Sequence, residues 1–328
     1  MKALQNSVIL LLFLGLLAYT VFDKIKGKEN TQIDSQLRYE SEVFNIELPS
    51  EFIFCGEKVP LKEPDVSEKL DREIHENVFH YANTNLILKR ANRWFPKMEK
   101  IFESYGLPED LKYLVIIESA FSNVVSPVGA TGFWQIMETT GKEFGLVINE
   151  EIDERYDPIK STHVACKYFK QAYKKFGSWT LAAASYNLGI TGTERRLREQ
   201  KVNSYYDLDI NSETARYVFK AMAFKEIFTN PDKYKFNLKD SQKYKIEATR
   251  EIQISESIDN LVDFALVQGI NYKLLVRHNP WIKGKTLTVD KPVTLKIPLI
   301  VPTSVDLTSE LGTPDNLGDS LEEEMVGG

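Results

Sequence analysis

The chain has 328 residues, of which 43% are hydrophobic and 27% are charged. That balance suits a globular protein, and the length allows two domains with tails. A formal net charge of −6 gives a nucleic-acid role no electrostatic support, and the one basic turn, Arg195-Arg196-Leu197-Arg198, reads as a solvated helix face.

Val8 to Phe22 is a nearly uninterrupted apolar run after Met1-Lys2. It is shorter than the ~20 residues of a spanning helix and fits a signal-peptide core by length. Ala18-Tyr19-Thr20 is a poor cleavage site, so a signal peptide (1–22) and an uncleaved signal anchor both stand. No Cys follows closely enough to carry a lipid. Lys24, Lys26 and Lys28 follow the run and only Lys2 precedes it, so the charges do not orient the segment. Residues 23–66 read as a polar linker that ends in short strands such as Glu51 to Cys55.

Ser67 is the predicted cap of a helix to about Lys89, with Glu68 in its first turn. A second helix, about Lys97 to Tyr105, is predicted after Pro96, with Gly106 as its stop. Leu107-Pro108 opens a helix that carries Glu118. Residues 122–135 hold Pro127, Gly129 and Gly132 and read as a loop. Further helices are predicted over about 137–144, from Asp157-Pro158 to Phe176, over 179–188, and from an Asn211 or Ser212 cap to Phe228. Beyond these, Tyr244 to Thr249 alternates like a strand, Ser257–Gly269 and Tyr272–His278 read as helices, and Val293–Pro298 as a closing strand. The acidic stretch 303–328 reads as a disordered tail.

Glu118 is the leading candidate for chemistry. Leu111, Leu114 and Val115 precede it by seven, four and three residues, spacings that share one helix face. A carboxylate on an apolar face must be paired, protonated or in use. Burial there raises its pKa, as a general acid at neutral pH requires. The same spacing also suits a Glu at the edge of the stripe that points to solvent. Of the neighbouring acids, Glu109 and Asp110 read as first-turn charges, and Glu138 and Glu143 belong to the next helix. Asp207-Leu208-Asp209-Ile210-Asn211 begins like a calcium loop, but Ser212 replaces the Gly of position six and Val218 the Glu of position twelve. Cys166 lies on an apolar stripe as a buried thiol would, and a bond to Cys55 stays open.

Four motifs occur in order: Glu118-Ser119; Gly129-Ala130-Thr131-Gly132-Phe133-Trp134-Gln135; Ala184-Ser185-Tyr186-Asn187-Leu188-Gly189; and Glu213-Thr214-Ala215-Arg216-Tyr217-Val218. The set resembles the catalytic domain of lytic transglycosylases of the soluble-transglycosylase type, in the lysozyme superfamily. It is most similar to the membrane-bound murein transglycosylase D branch. Ser185 departs from the Ala of the third motif. The resemblance covers about residues 70–236 and implies a mainly α, lysozyme-like catalytic domain over 67–236. The β-α-α-β order that follows resembles a LysM module, a small α+β peptidoglycan-binding domain, over 240–302. Ile254-Ser255-Glu256-Ser257 stands where that module has Gly-Asp-Thr.

The resemblance implies a reaction at peptidoglycan glycan strands with no metal and no cofactor. Glu118 would protonate the oxygen between N-acetylmuramic acid and N-acetylglucosamine. The same carboxylate would then take the C6 hydroxyl proton as a 1,6-anhydro ring closes, which makes the enzyme a lyase. Ser119, Gln135, Tyr186, Asn187 and Tyr217 would bind substrate, with Tyr217 near the acid. An extracytoplasmic location follows from the substrate, with the membrane as a partner if the N-terminal run stays uncleaved. Two alternatives stand beside this reading: a lysozyme-type hydrolase of the same fold, and a non-catalytic wall-binding scaffold.

Overall fold

A computed structural model describes residues 46–299. The apolar run at Val8–Phe22 and the acidic tail from 303 lie outside these residues. The described chain opens on a small hairpin, β1 (Ile53–Phe54) against β2 (Glu57–Lys58), in the stretch expected to hold short strands.

α1 (Pro64–Phe79) starts before the expected Ser67 cap. Pro64 takes the first helical turn, where its missing N–H costs little. α2 (Tyr81–Ser104) runs straight through Pro96, so the break predicted there does not occur. Pro96 is exposed, and water can take the carbonyl that it leaves unbonded. The Glu118 segment is also not one helix. A 3-10 turn (Glu109–Tyr113) leads into α3 (Leu114–Ser119). Leu111, Leu114 and Val115 are nonetheless fully buried.

The helical region continues with α4 (Glu138–Glu143), α5 (Pro158–Phe176), α6 (Trp179–Leu188), α7 (Ile190–Gln200) and α8 (Ser212–Thr229). Local chemistry explains these ends. Asp157 accepts from the N–H groups of Ile159 and Lys160, and Asn211 from that of Thr214 at 3.0 Å. Gly177 ends α5 in the left-handed conformation. Arg195, Arg196 and Arg198 are exposed on α7, as a solvated face would be. The core gathers Phe102, Trp134 and Phe169, all fully buried. Tyr186 meets the Trp134 ring edge-on at 6.1 Å and lies 5.0 Å from Phe169. Cys166 is buried in this region, and Cys55 and Cys166 are both free thiols.

The last described elements are β3 (Thr249–Ile254), α9 (Leu261–Val267), α10 (Tyr272–His278) and β4 (Val293–Pro298), in β-α-α-β order. β3 and β4 pair antiparallel, from Thr249 opposite Pro298 to Ile254 opposite Val293. Two expectations are corrected here. The strand begins at Thr249, because Tyr244 and Lys245 lie along α2: Lys89 O accepts from Tyr244 N at 3.1 Å, and Arg93 Nε donates to Lys245 O at 2.9 Å. The first helix begins at Leu261, because Ile258 bridges Leu287 and Asn260 caps the helix by accepting from Val262 N. Buried Asn279 ties α10 to β4, donating to Lys296 O and accepting from Lys296 N, both at 2.8 Å.

This module is seated on the helical region. Ile152 joins the apolar core formed by Leu261, Leu275, Trp281, Leu287 and Leu295. Around it, Asp153 N donates to Trp281 O and Lys283 N to Glu151 O, both at 2.8 Å.

Candidate active site

α3 delivers Glu118 to the surface of the core. The helix is only six residues long and ends at Ala120, which is left-handed at φ 48°. Phe121 follows at φ 59°. Two consecutive non-glycine residues in this region store strain, which persists only where surrounding structure fixes it. Arg90 from α2 does so by donating to Ala120 O at 3.0 Å and to Ser122 Oγ at 3.2 Å.

Glu118 is half-buried. The Tyr217 hydroxyl, from α8, donates to Glu118 Oε1. Burial is the main cause that pushes the Glu118 carboxyl up to about 7. The Tyr217 hydrogen bond works against that rise by favouring the charged form, and the negative charge of Glu213 adds to it. The carboxyl is therefore protonated in a large fraction of molecules at neutral pH. Tyr217 itself is 3% exposed, and burial drives its phenol well above the ordinary value, so it remains a donor.

The loop 122–135 folds back against α3 as a small β-turn structure. Gly132 N donates to Val124 O at 2.9 Å, and Thr131 and Ile136 exchange backbone bonds at 3.0 and 3.1 Å. Ser119 Oγ donates to Phe133 O at 2.8 Å and so ties the acid's helix to this loop. Gln135 is left-handed at φ 47°. Its Nε2 donates to Gly132 O at 2.8 Å and Val124 O at 3.0 Å, while Oε1 has no protein partner among the described residues.

Tyr186 Oη donates to Trp134 O at 2.7 Å, and the Glu118 charge contributes to the rise of its pKa, after burial. Asn187 is engaged on both ends of its amide. Nδ2 donates to Glu213 Oε1 at 3.0 Å, and Oδ1 accepts from Thr214 Oγ1 at 2.6 Å. The five residues expected around Glu118 thus divide. Tyr217 touches the acid, and Tyr186 lies within its field. Ser119 and Gln135 hold the loop, and Asn187 reaches it through Glu213.

Two features went unassigned in the sequence. Glu213 lies four residues before Tyr217, so one face of α8 carries both; that spacing was the available signal. The other is the brace behind the loop. Arg155 pairs with Asp153 through Nη2–Oδ2 at 2.7 Å, both buried. Its Nη1 donates to Gly129 O at 3.0 Å and Ile136 O at 3.2 Å. No local pattern marks Arg155 for this task. Gly132, at φ +80°, packs so closely that an added Cβ would lie 2.0 Å from Arg155 O.

Residues 98–208 match the family model of the transglycosylase SLT domain, and residues 250–301 match that of the soluble lytic transglycosylase C-terminal LysM-like domain. The chain carries an SLT domain followed by a LysM-like domain. The SLT match includes Glu118, Gln135 and Asn187 and ends before α8, which supplies Tyr217. Curated relatives include the membrane-bound lytic murein transglycosylase D of Escherichia coli K12, 25% identical over 251 residues, 75% of this chain and 55% of that protein. The same protein of Escherichia coli O6:H1 matches equally. The chain thus spans about half the length of these relatives. Among solved structures, an inactive mutant of the lytic transglycosylase Slt from Pseudomonas aeruginosa is 21% identical, with a TM-score of 0.35, over 47% of this chain and 26% of that one. The 70 kDa soluble lytic transglycosylase of Escherichia coli is also 21% identical, with a TM-score of 0.36, over 46% and 26%.

Proposed function

We propose that this chain is a peptidoglycan lytic transglycosylase. It cleaves the β-1,4 bond between N-acetylmuramic acid and N-acetylglucosamine and leaves a 1,6-anhydro end. The observation that carries this reading is Glu118, half-buried, raised to about 7 and hydrogen-bonded by Tyr217. A carboxyl poised there can give a proton to the leaving oxygen and then, as carboxylate, accept one from the C6 hydroxyl. No water need enter, and one acid serves both halves of the reaction. Tyr217 orients the acid. Gln135, through its free Oε1, and Tyr186 and Asn187 line the approach of the sugar, and Ser119 holds the loop that bears Gln135.

One observation favours a hydrolase as the second reading. Glu213 lies close enough for its charge to act on Glu118, and a second carboxylate is what a glycosidase uses to activate water. Product analysis separates the two. Purified peptidoglycan treated with the protein is expected to release anhydro-muropeptides by mass spectrometry, and the Glu118→Gln variant none. Reducing ends would assign the hydrolase. Binding without products from either form would leave a wall-binding scaffold.

We place the catalytic domain at 67–236, extended to Pro64 by α1, and the LysM-like domain at 240–302. The substrate puts the protein outside the cytoplasm, in the periplasm or cell envelope, held at the inner membrane if the Val8–Phe22 run is retained. Among the described residues no helix is long and apolar enough to cross a membrane.

A further inference from the structure

Asp110 and Lys225 form an ion pair at 2.7 Å, with side chains 20% and 22% exposed. The pair joins the two segments that carry the acid and its hydrogen-bond donor. Asp110 lies in the 3-10 turn, eight residues before Glu118, and Lys225 lies on α8, eight residues after Tyr217. The segments run antiparallel, so the Asp110–Lys225 and Glu118–Tyr217 pairs share one register, about 12 Å apart along α8. On α8, Glu213, Tyr217, Ala221 and Lys225 recur every four residues and form one ridge. Opposite, Leu114 stands midway between Asp110 and Glu118, and both Leu114 and Ala221 are fully buried.

The β1–β2 hairpin closes this pair from outside. Cys55 N donates to the same Asp110 oxygen at 2.7 Å, and Lys225 Nζ donates to Ile53 O at 2.7 Å as well. The hairpin is itself anchored. Phe54 is fully buried, and Glu57 accepts from Thr180 N at 3.0 Å and Thr180 Oγ1 at 2.8 Å, at the start of α6. α6 is the helix that carries Tyr186 and Asn187. Lys225 and the hairpin both lie outside the 98–208 match. Apolar burial is non-directional, so on its own it holds a helix loosely against sliding. An ion pair largely out of water adds little net stability, and fixing one register is its best-attested task.

We propose that Asp110 and Lys225 are positioning residues that set the register of α8 against the acid's segment and so bring the Tyr217 hydroxyl to Glu118. The proposal rests on the proposed function for the reaction, and on the packing alone for the geometry. Both residues act through Tyr217. Besides burial, the groups that act on Glu118 are Tyr217 and Glu213 from α8, and Tyr186 from α6 lies in its field. A slip of α8 is therefore read at the Glu118 carboxyl. A hydrogen bond is lost within a small displacement, whereas the Glu213 charge fades slowly with distance, so the net effect of a slip favours the protonated form.

The test uses the full chain bearing Asp110→Asn with Lys225→Met. This double variant removes one charge of each sign, keeps an acceptor for Cys55 N and strands no buried charge. Two readouts are taken: NMR titration of the Glu118 carboxyl, assigned with Glu118→Gln, and the pH dependence of anhydro-product formation. The carboxyl is expected to titrate higher than in wild type, and the alkaline limb of the rate profile to move up with it. The kcat value is expected to fall about three-fold or more, with KM little changed. In a Tyr217→Phe background the same double variant is expected to shift neither readout, because the bond it acts through is gone. Lys225→Arg, which keeps the pair, is expected to titrate as wild type. A wild-type titration in the double variant, whatever its thermal stability, overturns the proposal and leaves an ordinary structural ion pair. A shift of equal size with and without the Tyr217 hydroxyl also overturns it. Failure of the transglycosylase reading would show differently, as wild-type protein that releases no anhydro ends at any pH while the carboxyl titration still follows the pair.

Discussion

The Tyr217 hydroxyl donates to Glu118 Oε1 across 99 residues of sequence. The bond fixes which oxygen of the carboxyl is engaged by protein. It also tempers a pKa that burial would otherwise lift further.

Removing the acid tests both activity and stability. Glu118→Gln is expected to lower anhydro-product formation by at least 10³-fold, since the proton donor is lost. The variant should also be more stable than wild type above neutral pH. Near pH 4 the carboxyl is protonated in folded and unfolded chains alike and contributes nothing. As pH rises past 4.5 the unfolded chain ionises first, so wild type loses stability until about pH 7 and stays lower beyond it. The difference is expected at about 1–3 kcal/mol, discounted for partial exposure. Thermal unfolding of both forms at pH 4.5 and pH 8.5 checks it, and a gap that does not grow with pH refutes it.

Tyr217→Phe and Glu213→Gln should move the pH profile in opposite directions. Without the tyrosine hydroxyl the charged form of Glu118 loses support, its pKa rises, and the alkaline limb of the rate profile moves up. Without the Glu213 charge the pKa falls and the limb moves down. Tyr217→Phe should also lower kcat by about ten-fold through lost orientation. Shifts of the same sign in both variants would contradict this electrostatic account.

Gly132→Ala is expected to be severe. The position has φ +80°, and the new Cβ would sit 2.0 Å from Arg155 O. The clash is with backbone, so the loop must move away from Arg155. A loss of about 2–4 kcal/mol is expected, with activity falling further because Phe133 and Gln135 move with it. Urea unfolding and the product assay together decide whether stability or activity suffers more.

Arg155→Ala leaves Asp153 without its partner in a buried place and removes one of the two donors on each of the Gly129 and Ile136 carbonyls, which keep their bonds from Thr131. Breaking such a pair by removing one member costs about 3–5 kcal/mol. Asp153→Asn with Arg155→Met should recover part of that stability while the loop stays loosely held and activity stays low.

Ile152→Ala probes the seam between the domains. Ile152 is 6% exposed and packs in the core of the LysM-like domain. The substitution is expected to cost about 2–4 kcal/mol. It should also expose the connection at 237–248 to proteolysis sooner than the helical domain. Simultaneous cleavage throughout would mean that the two domains unfold as one unit.

Signals that act over a few residues were legible in the sequence. The helix from Asp157-Pro158 to Phe176, the Asn211 cap offered beside Ser212, and the α10 and β4 spans are encoded within one or two turns, and the structure has them where expected. The motif residues could be named for the same reason, because Glu118, Gln135, Asn187 and Tyr217 each sit in a short recognisable pattern. Local rules failed where packing outweighed them. Pro96 did not break α2, because its missing bond faces water while the helix's other face is held in the core. The segment 244–249 alternates like a strand, but its first two residues, Tyr244 and Lys245, are claimed by α2 through Lys89 and Arg93, and the strand starts only at Thr249.

Sequence alone pointed to the helical class, to the β-α-α-β order of the last elements and to Glu118 as the candidate acid. Tertiary structure decided how readily that carboxyl holds its proton. Its burial, the approach of Tyr217 and Glu213 from α8 and the bracing of the loop by Arg155 all join residues far apart in the chain. Their energies depend on distance and on exclusion of water, which the order of residues does not contain.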